Sequence, residues 1–227
     1  MTGTRRFLYD NGVSIAFGLL FIAALVGQAI AGWADFNNDQ LRHHAADVTF
    51  WRYVTSSHFG AAVTENWQSE YLQFTLFIFI TIWLIQRGSP ESKEPRQEGL
   101  ESDEQQTLGE HAHEGSPLWA RVGGARTFLY SNSLLIVMLA IWIGSWVAQS
   151  FTGLTEYNST RIGHQEDPLS WWSYLGTADF WEKTLQNWQS EFLAVGSMAI
   201  LAVYLRQRGS PESKPVGAAH TDTGVEG

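Results

Sequence analysis

Residues 13–32 read VSIAFGLLFIAALVGQAIAG, and residues 133–153 read SLLIVMLAIWIGSWVAQSFTG. Neither stretch holds a charge, and each reaches the roughly 20 helical residues that cross an apolar layer about 30 Å thick. Both are read as membrane-spanning helices. Two further apolar runs, 71–85 and 192–205, are only about 15 residues, or about 22 Å at the helical rise. To cross, each must borrow residues from the Asn-Trp-Gln-Ser-Glu that precedes it. The alternative for so short a run is a buried helix of a soluble protein. The same pairing of one long and one short run occurs twice, which favours four spans.

Working outward from these runs, the 227 residues carry 14 basic and 23 acidic side chains, a formal charge of -9. The mean hydropathy of -0.13 averages apolar runs with acidic stretches and so hides both. A net negative chain lacks the basic face of a nucleic-acid binder. With no cysteine, disulfides, a thiolate nucleophile, iron–sulfur clusters and Cys-type zinc sites are excluded.

The chain repeats itself at an offset of 121. Arg5-x-Phe7-Leu8-Tyr9-x-Asn11 recurs as Arg126-x-Phe128-Leu129-Tyr130-x-Asn132, and Asn66-Trp67-Gln68-Ser69-Glu70 as Asn187-Trp188-Gln189-Ser190-Glu191. The octapeptide 86–93, QRGSPESK, returns unchanged at 207–214. Laying 5–93 on 126–214 without a gap gives 30 identities in 89 positions, against about one in fifteen from composition alone. The predicted fold class is all-α: an integral membrane four-helix protein, a tandem parallel repeat of a two-span unit, with surface-lying helices in the outer loops. The expected organisation is a first unit over 1–93, with spans at about 13–32 and 66–86, then an acidic disordered linker over 94–125. A second unit over 126–214, with spans at about 133–153 and 187–207, precedes a disordered tail over 215–227. An even number of spans per unit makes the copies enter the membrane in the same direction, unlike an inverted transporter repeat.

Ten of the 14 basic residues flank one side of the spans, among them Arg5, Arg6, Arg87, Arg126 and Arg208. By the positive-inside rule both termini are cytoplasmic. Arg5-Arg6 before an apolar run ending in Ala29-x-Ala31 also suits an export signal. The matching segment of the second unit is internal and cannot be one, so the first span is read as uncleaved. The outer loops are aromatic, with Phe50, Trp51, Tyr53 and Phe59 in one and Trp171, Trp172, Tyr174 and Phe180 in the other. Such rings favour the headgroup level. Asp167-Pro168 suits a helix start, and Ser56 and Thr177 are candidate caps of longer helices running into the second and fourth spans.

The candidate polar site is Gln28, Asn66, Ser69, Glu70, Gln149, Asn187, Ser190 and Glu191. On a helix Asn66, Ser69, Glu70 and Gln73 share one face; Asn187, Ser190 and Glu191 repeat it. Gln28 and Gln149 lie at similar depth near the outward ends of the long spans, within reach of a neighbouring carboxylate. Such groups act as inter-helix glue worth roughly 0.6–2 kcal/mol, or as a site in which Glu70 and Glu191 share a proton or hold a cation. His43 and His164 are equivalent loop positions, weak candidates for a metal or haem. No phosphate loop, nucleophile elbow or HExxH spacing is present, so no enzyme and no cofactor are expected.

Each octapeptide reads as a helix stop: Arg against the helix dipole, Gly in a left-handed cap, Pro beyond it. Eight identities exceed what stopping a helix requires. Arg87, Lys93, Arg208 and Lys214 are therefore candidate docking residues for headgroups or a protein partner.

The doubled Asn-Trp-Gln-Ser-Glu-[Tyr/Phe]-Leu and Gln-Arg-Gly-Ser-Pro-Glu-Ser-Lys motifs, with Phe-Leu-Tyr before the first span, resemble a domain-of-unknown-function family of small bacterial integral membrane proteins. The resemblance covers 5–93 and 126–214, implies a bacterial plasma-membrane location and brings no activity, cofactor or catalytic residue. The expected function is a non-enzymatic membrane scaffold or accessory subunit. Its partners are membrane lipids and an unidentified membrane or cytoplasmic protein, not nucleic acid. The alternative is a small cation- or proton-translocating protein built on Glu70 and Glu191.

Overall fold

The structure is a computed structural model and describes residues 3–225. Its helices are α1 (Thr4–Asp10), α2 (Gly12–Arg42), α3 (Phe50–Val54), α4 (Ser57–Ile80), α5 (Leu118–Arg121), α6 (Gly124–Ser131), α7 (Ser133–Gly163), α8 (Trp171–Tyr174) and α9 (Ala178–Tyr204). A 3-10 turn occupies Gly109–His111, and no strand occurs among the described residues. Two of the helices end alike at positions 121 residues apart. Asn11 and Asn132 end α1 and α6 in the same way, each side-chain amide donating four residues back, to Phe7 O at 2.9 Å and Phe128 O at 2.8 Å. Helices α2 and α7 then run 31 residues each, or about 46 Å. Two residues beyond the end of each, a non-glycine residue takes positive φ, His44 at 57° and Gln165 at 62°.

Two helices, not four, are long and apolar enough to cross a membrane: α2 and α7. Only 6% and 17% of their most apolar windows are buried, so each leaves most of its apolar surface uncovered. The helices that carry the second and fourth expected spans start where the caps suggest and stop short of the expected ends. In place of 66–86 and 187–207, the helices run Ser57–Ile80 and Ala178–Tyr204. They begin at the two expected caps, Ser56 and Thr177, each of which accepts a bond from the backbone N–H three residues on, of Phe59 and Phe180, both at 3.3 Å. They stop early, leaving apolar residues 81–85 outside α4. Charged residues such as Glu65, Glu70, Glu182 and Glu191 then keep the average of what is helical low.

The chain forms two compact units. The first holds residues 3–63 with 155–168, the second 64–154 with 169–225. In the first, the end of α2 is tied to the segment before α3: Trp33 Nε1 donates to Val48 O at 2.7 Å, and the Asn37 side chain brackets Val48 with bonds of 3.1 and 2.9 Å. Tyr53 is buried against Phe36 and Phe59, and a Cβ on Gly32 would strike its hydroxyl.

The second unit repeats this contact, since a Cβ on Gly153 would meet the hydroxyl of buried Tyr174. Ser170, not Asp167, caps α8, accepting from Ser173 N at 3.3 Å. Around Trp146 gather Phe180, Trp181, Trp188 and Trp142, with ring centroids 5.9–6.1 Å away. The outer-loop aromatics thus divide. Trp51 and Trp172 are about three-quarters exposed, while Tyr53, Tyr174 and Phe180 are interior.

Candidate functional site

The polar residues of the second unit lie along α4 and α9. The repeated Asn-Trp-Gln-Ser-Glu falls in mid-helix in both, but what it buries differs from the expected face. On α4 the interior line is Ala61, Gln68, Leu72 and Thr75, with Ser69 beside it, while Asn66 and Glu70 stay exposed. The reason is the cost of burying an unpaired carboxylate, far above that of an amide that finds a donor. Gln68 finds one: Trp188 Nε1 donates to its Oε1 at 2.7 Å. Ser69 Oγ faces the backbone O of Asn66 at 2.9 Å and Glu191 Oε1 at 3.4 Å, and the Glu70 charge is close enough to act on that of Glu191. Asn187 and Ser190 turn back onto their own helix, to Lys183 O and Asn187 O. Gln149 on α7 is buried with its Oε1 unpartnered. Gln28 belongs to the first unit and is half-buried on α2.

His43 is exposed and held by Asp39 of its own helix, and His164 is exposed just beyond α7. Among the described residues no three His, Asp or Glu side chains are grouped to hold a metal.

The two octapeptides fold alike. Ser92 Oγ accepts from Gln86 N at 3.0 Å and Ser213 Oγ from Gln207 N at 2.9 Å; Ser89 and Ser210 accept from Glu91 N and Glu212 N, both at 3.3 Å. Gly88 and Gly209 have φ of 87° and 81°, but they sit in these latched loops and do not cap the helices. The carbonyls at the end of α9 are met instead by Arg206, whose Nη1 donates to Val203 O at 3.0 Å and Leu205 O at 2.8 Å. Where the sequence suggests a solvated tail, Thr223 Oγ1 accepts from Gly88 N at 2.9 Å, and Gly224 N donates to Ser89 O at 3.0 Å.

Of the four docking candidates, Arg87 and Arg208 are exposed. Lys93 reaches Glu101 at 2.6 Å and Gly99 O at 2.7 Å, and that ammonium holds the Glu101 carboxyl below its ordinary range. Lys214 is 1% exposed and donates to Ala219 O, His220 O and Asp222 O at 3.0–3.1 Å. Burial and the nearby Arg206 charge push its ammonium pKa down.

The latched loops also place two residues that the sequence does not single out. Glu91 and Glu212, equivalent members of the two octapeptides, come within hydrogen-bonding reach of each other. That bond, partial burial and mutual repulsion raise Glu91 to about 7. The two carboxyls edge a groove of about 420 Å³ whose other walls are Gln73, Phe74 and Phe77 of α4 and Ala194, Val195, Met198 and Ala199 of α9. A second apolar pocket of about 390 Å³ shares Gln73, Phe77 and Val195. The only hint in the sequence is that both octapeptides keep a Glu which stopping a helix does not need.

A family described as a domain of unknown function (DUF6766) matches residues 4–225, and the chain belongs to it. Comparison with curated proteins and with solved structures gives no match.

Proposed function

We propose that this member of the DUF6766 family is a multi-pass protein of the bacterial plasma membrane acting as a non-enzymatic scaffold or accessory subunit. The observation that carries this reading is the apolar exterior of α2 and α7. Val13, Phe17, Leu19 and Leu20 are 64–74% exposed, and Leu134, Val137 and Phe151 about half exposed. Apolar surface this continuous is covered by lipid or by partner helices. Helices α4 and α9, at 24 and 27 residues, are about 36 and 40 Å long and complete the crossing with their polar first halves near the outer interface. The two sequence repeats, 5–93 and 126–214, are then parallel copies with both termini and the 94–125 linker in the cytoplasm, as the distribution of arginine and lysine favours. Lipid headgroups and a protein partner are met by exposed Arg87 and Arg208.

A second reading, cation or proton translocation, is favoured by one observation: Ser69 and the Glu70 charge both act on Glu191.

Topology is tested on a chain free of native cysteine. Asn38→Cys and Ser159→Cys are expected to react with an impermeant thiol reagent on intact cells, and Ser102→Cys only after lysis. Labelling of Ser102→Cys alone on intact cells overturns the orientation. A proton current in proteoliposomes that Glu191→Gln abolishes without lowering the melting temperature moves the assignment to translocation.

A further inference from the structure

We propose that the groove between α4 and α9 binds an amphiphilic organic cation, its apolar body against Phe77, Val195 and Met198 and its ammonium head on the paired carboxyls of Glu91 and Glu212. The inference rests on the geometry of this helix pair and goes beyond the scaffold reading.

The volume, about 420 Å³, lies in the range of small-molecule sites, which are apolar with a few convergent polar groups. Apart from Gln73, the only polar side chains on its wall are the two carboxyls, and no Lys or Arg among the described residues lines it. Of the cations nearby in sequence, Lys93 is held by Glu101, Lys214 by three carbonyls and Arg206 by the end of α9, and exposed Arg96 is not on the groove wall. Exposed Arg87 and Arg208 lie outside the groove wall. The neighbouring surface depression is bordered with Glu91 by Glu94 and by Lys93, the latter paired with Glu101. Two carboxyls facing each other without a counter-cation share a proton or take up a cation. A metal ion is a poor occupant, because calcium wants six to eight oxygen ligands and the remaining walls are nearly all hydrocarbon. Fatty acids and phosphate headgroups are repelled. A molecule with one cationic end and an apolar body satisfies both parts of the groove.

Proton and ligand compete. Glu91 protonates as pH falls through about 7, so binding is strongest above that value and fades below it.

The test uses the full chain in dodecylmaltoside and radiolabelled tetraphenylphosphonium as the probe cation, first at pH 8. Saturable binding is expected, displaced by dodecylamine and not by dodecanoate, weaker at pH 6, and reduced at least about 10-fold, or about 1.4 kcal/mol, in Glu91→Gln/Glu212→Gln. Val195→Trp fills the groove without touching the carboxyls and is expected to block binding equally. Thermal melts confirm that both variants fold. No saturable binding by the folded parent overturns the proposal. So does binding unchanged in the double Gln variant, equal displacement by dodecanoate, or displacement by calcium alone. Topology results leave these outcomes unaffected.

Discussion

The octapeptides at 86–93 and 207–214 are identical in sequence, and the structure treats them alike in one respect and differently in another. Their internal bonds match to about 0.1 Å: the serine latches on Gln86 N and Gln207 N at 3.0 and 2.9 Å, and the longer bonds on Glu91 N and Glu212 N, both at 3.3 Å. Their lysines diverge. Lys93 is partly exposed and pairs with a carboxylate, whereas Lys214 is sealed among three carbonyls of the segment C-terminal to it. Within eight residues the sequence dictates its own loop. The fate of the one long side chain is set by the next stretch of chain, acidic after the first copy and Pro-Val-Gly-Ala-Ala-His after the second.

The comparison can be broken at the lysines first. Lys214→Ala strips three carbonyls of a buried donor and is expected to cost about 2–3 kcal/mol, read as a lower melting temperature of the full chain. Lys93→Ala removes a partly exposed ion pair and is expected to cost about 1 kcal/mol or less. Equal losses would mean that the two loops have the same surroundings. The serines give the smaller and symmetric effect. Ser92→Ala and Ser213→Ala each remove one acceptor from a backbone N–H and are expected to cost about 1 kcal/mol each. A difference greater than about 0.5 kcal/mol would show that the latch is not an intrinsic property of the octapeptide.

The legible parts of the fold obey short-range rules. The first two-thirds of α2 and α7 can be read from uncharged length, and the starts of α4 and α9 from Ser56 and Thr177. The rest depends on contacts far apart in the chain. The sequence places the ends of α4 and α9 too late because 81–85 is apolar, and nothing local says that Gly99 N will bond Ile82 O at 2.7 Å and hold those residues outside the helix. Polar residues suggest one face of α4, but Gln68 is inside because Trp188, 120 residues away, donates to it. A repeated lysine near a membrane suggests headgroups, yet the cage around Lys214 is made of backbone carbonyls, which carry no sequence signature. Glu91 and Glu212 give no signal beyond a repeated Glu that stopping a helix does not need, because their meeting requires both loops to fold back along α4 and α9.

That meeting is the central claim, and the chain's lack of cysteine makes it directly measurable. In Glu91→Cys/Glu212→Cys, mild oxidation in native membranes followed by proteolysis in the 102–116 segment separates the two halves unless a disulfide joins them. The account predicts one joined species that reductant splits, formed within a single chain at any expression level. Halves that separate after oxidation, in a protein whose melting temperature matches the parent, would contradict it.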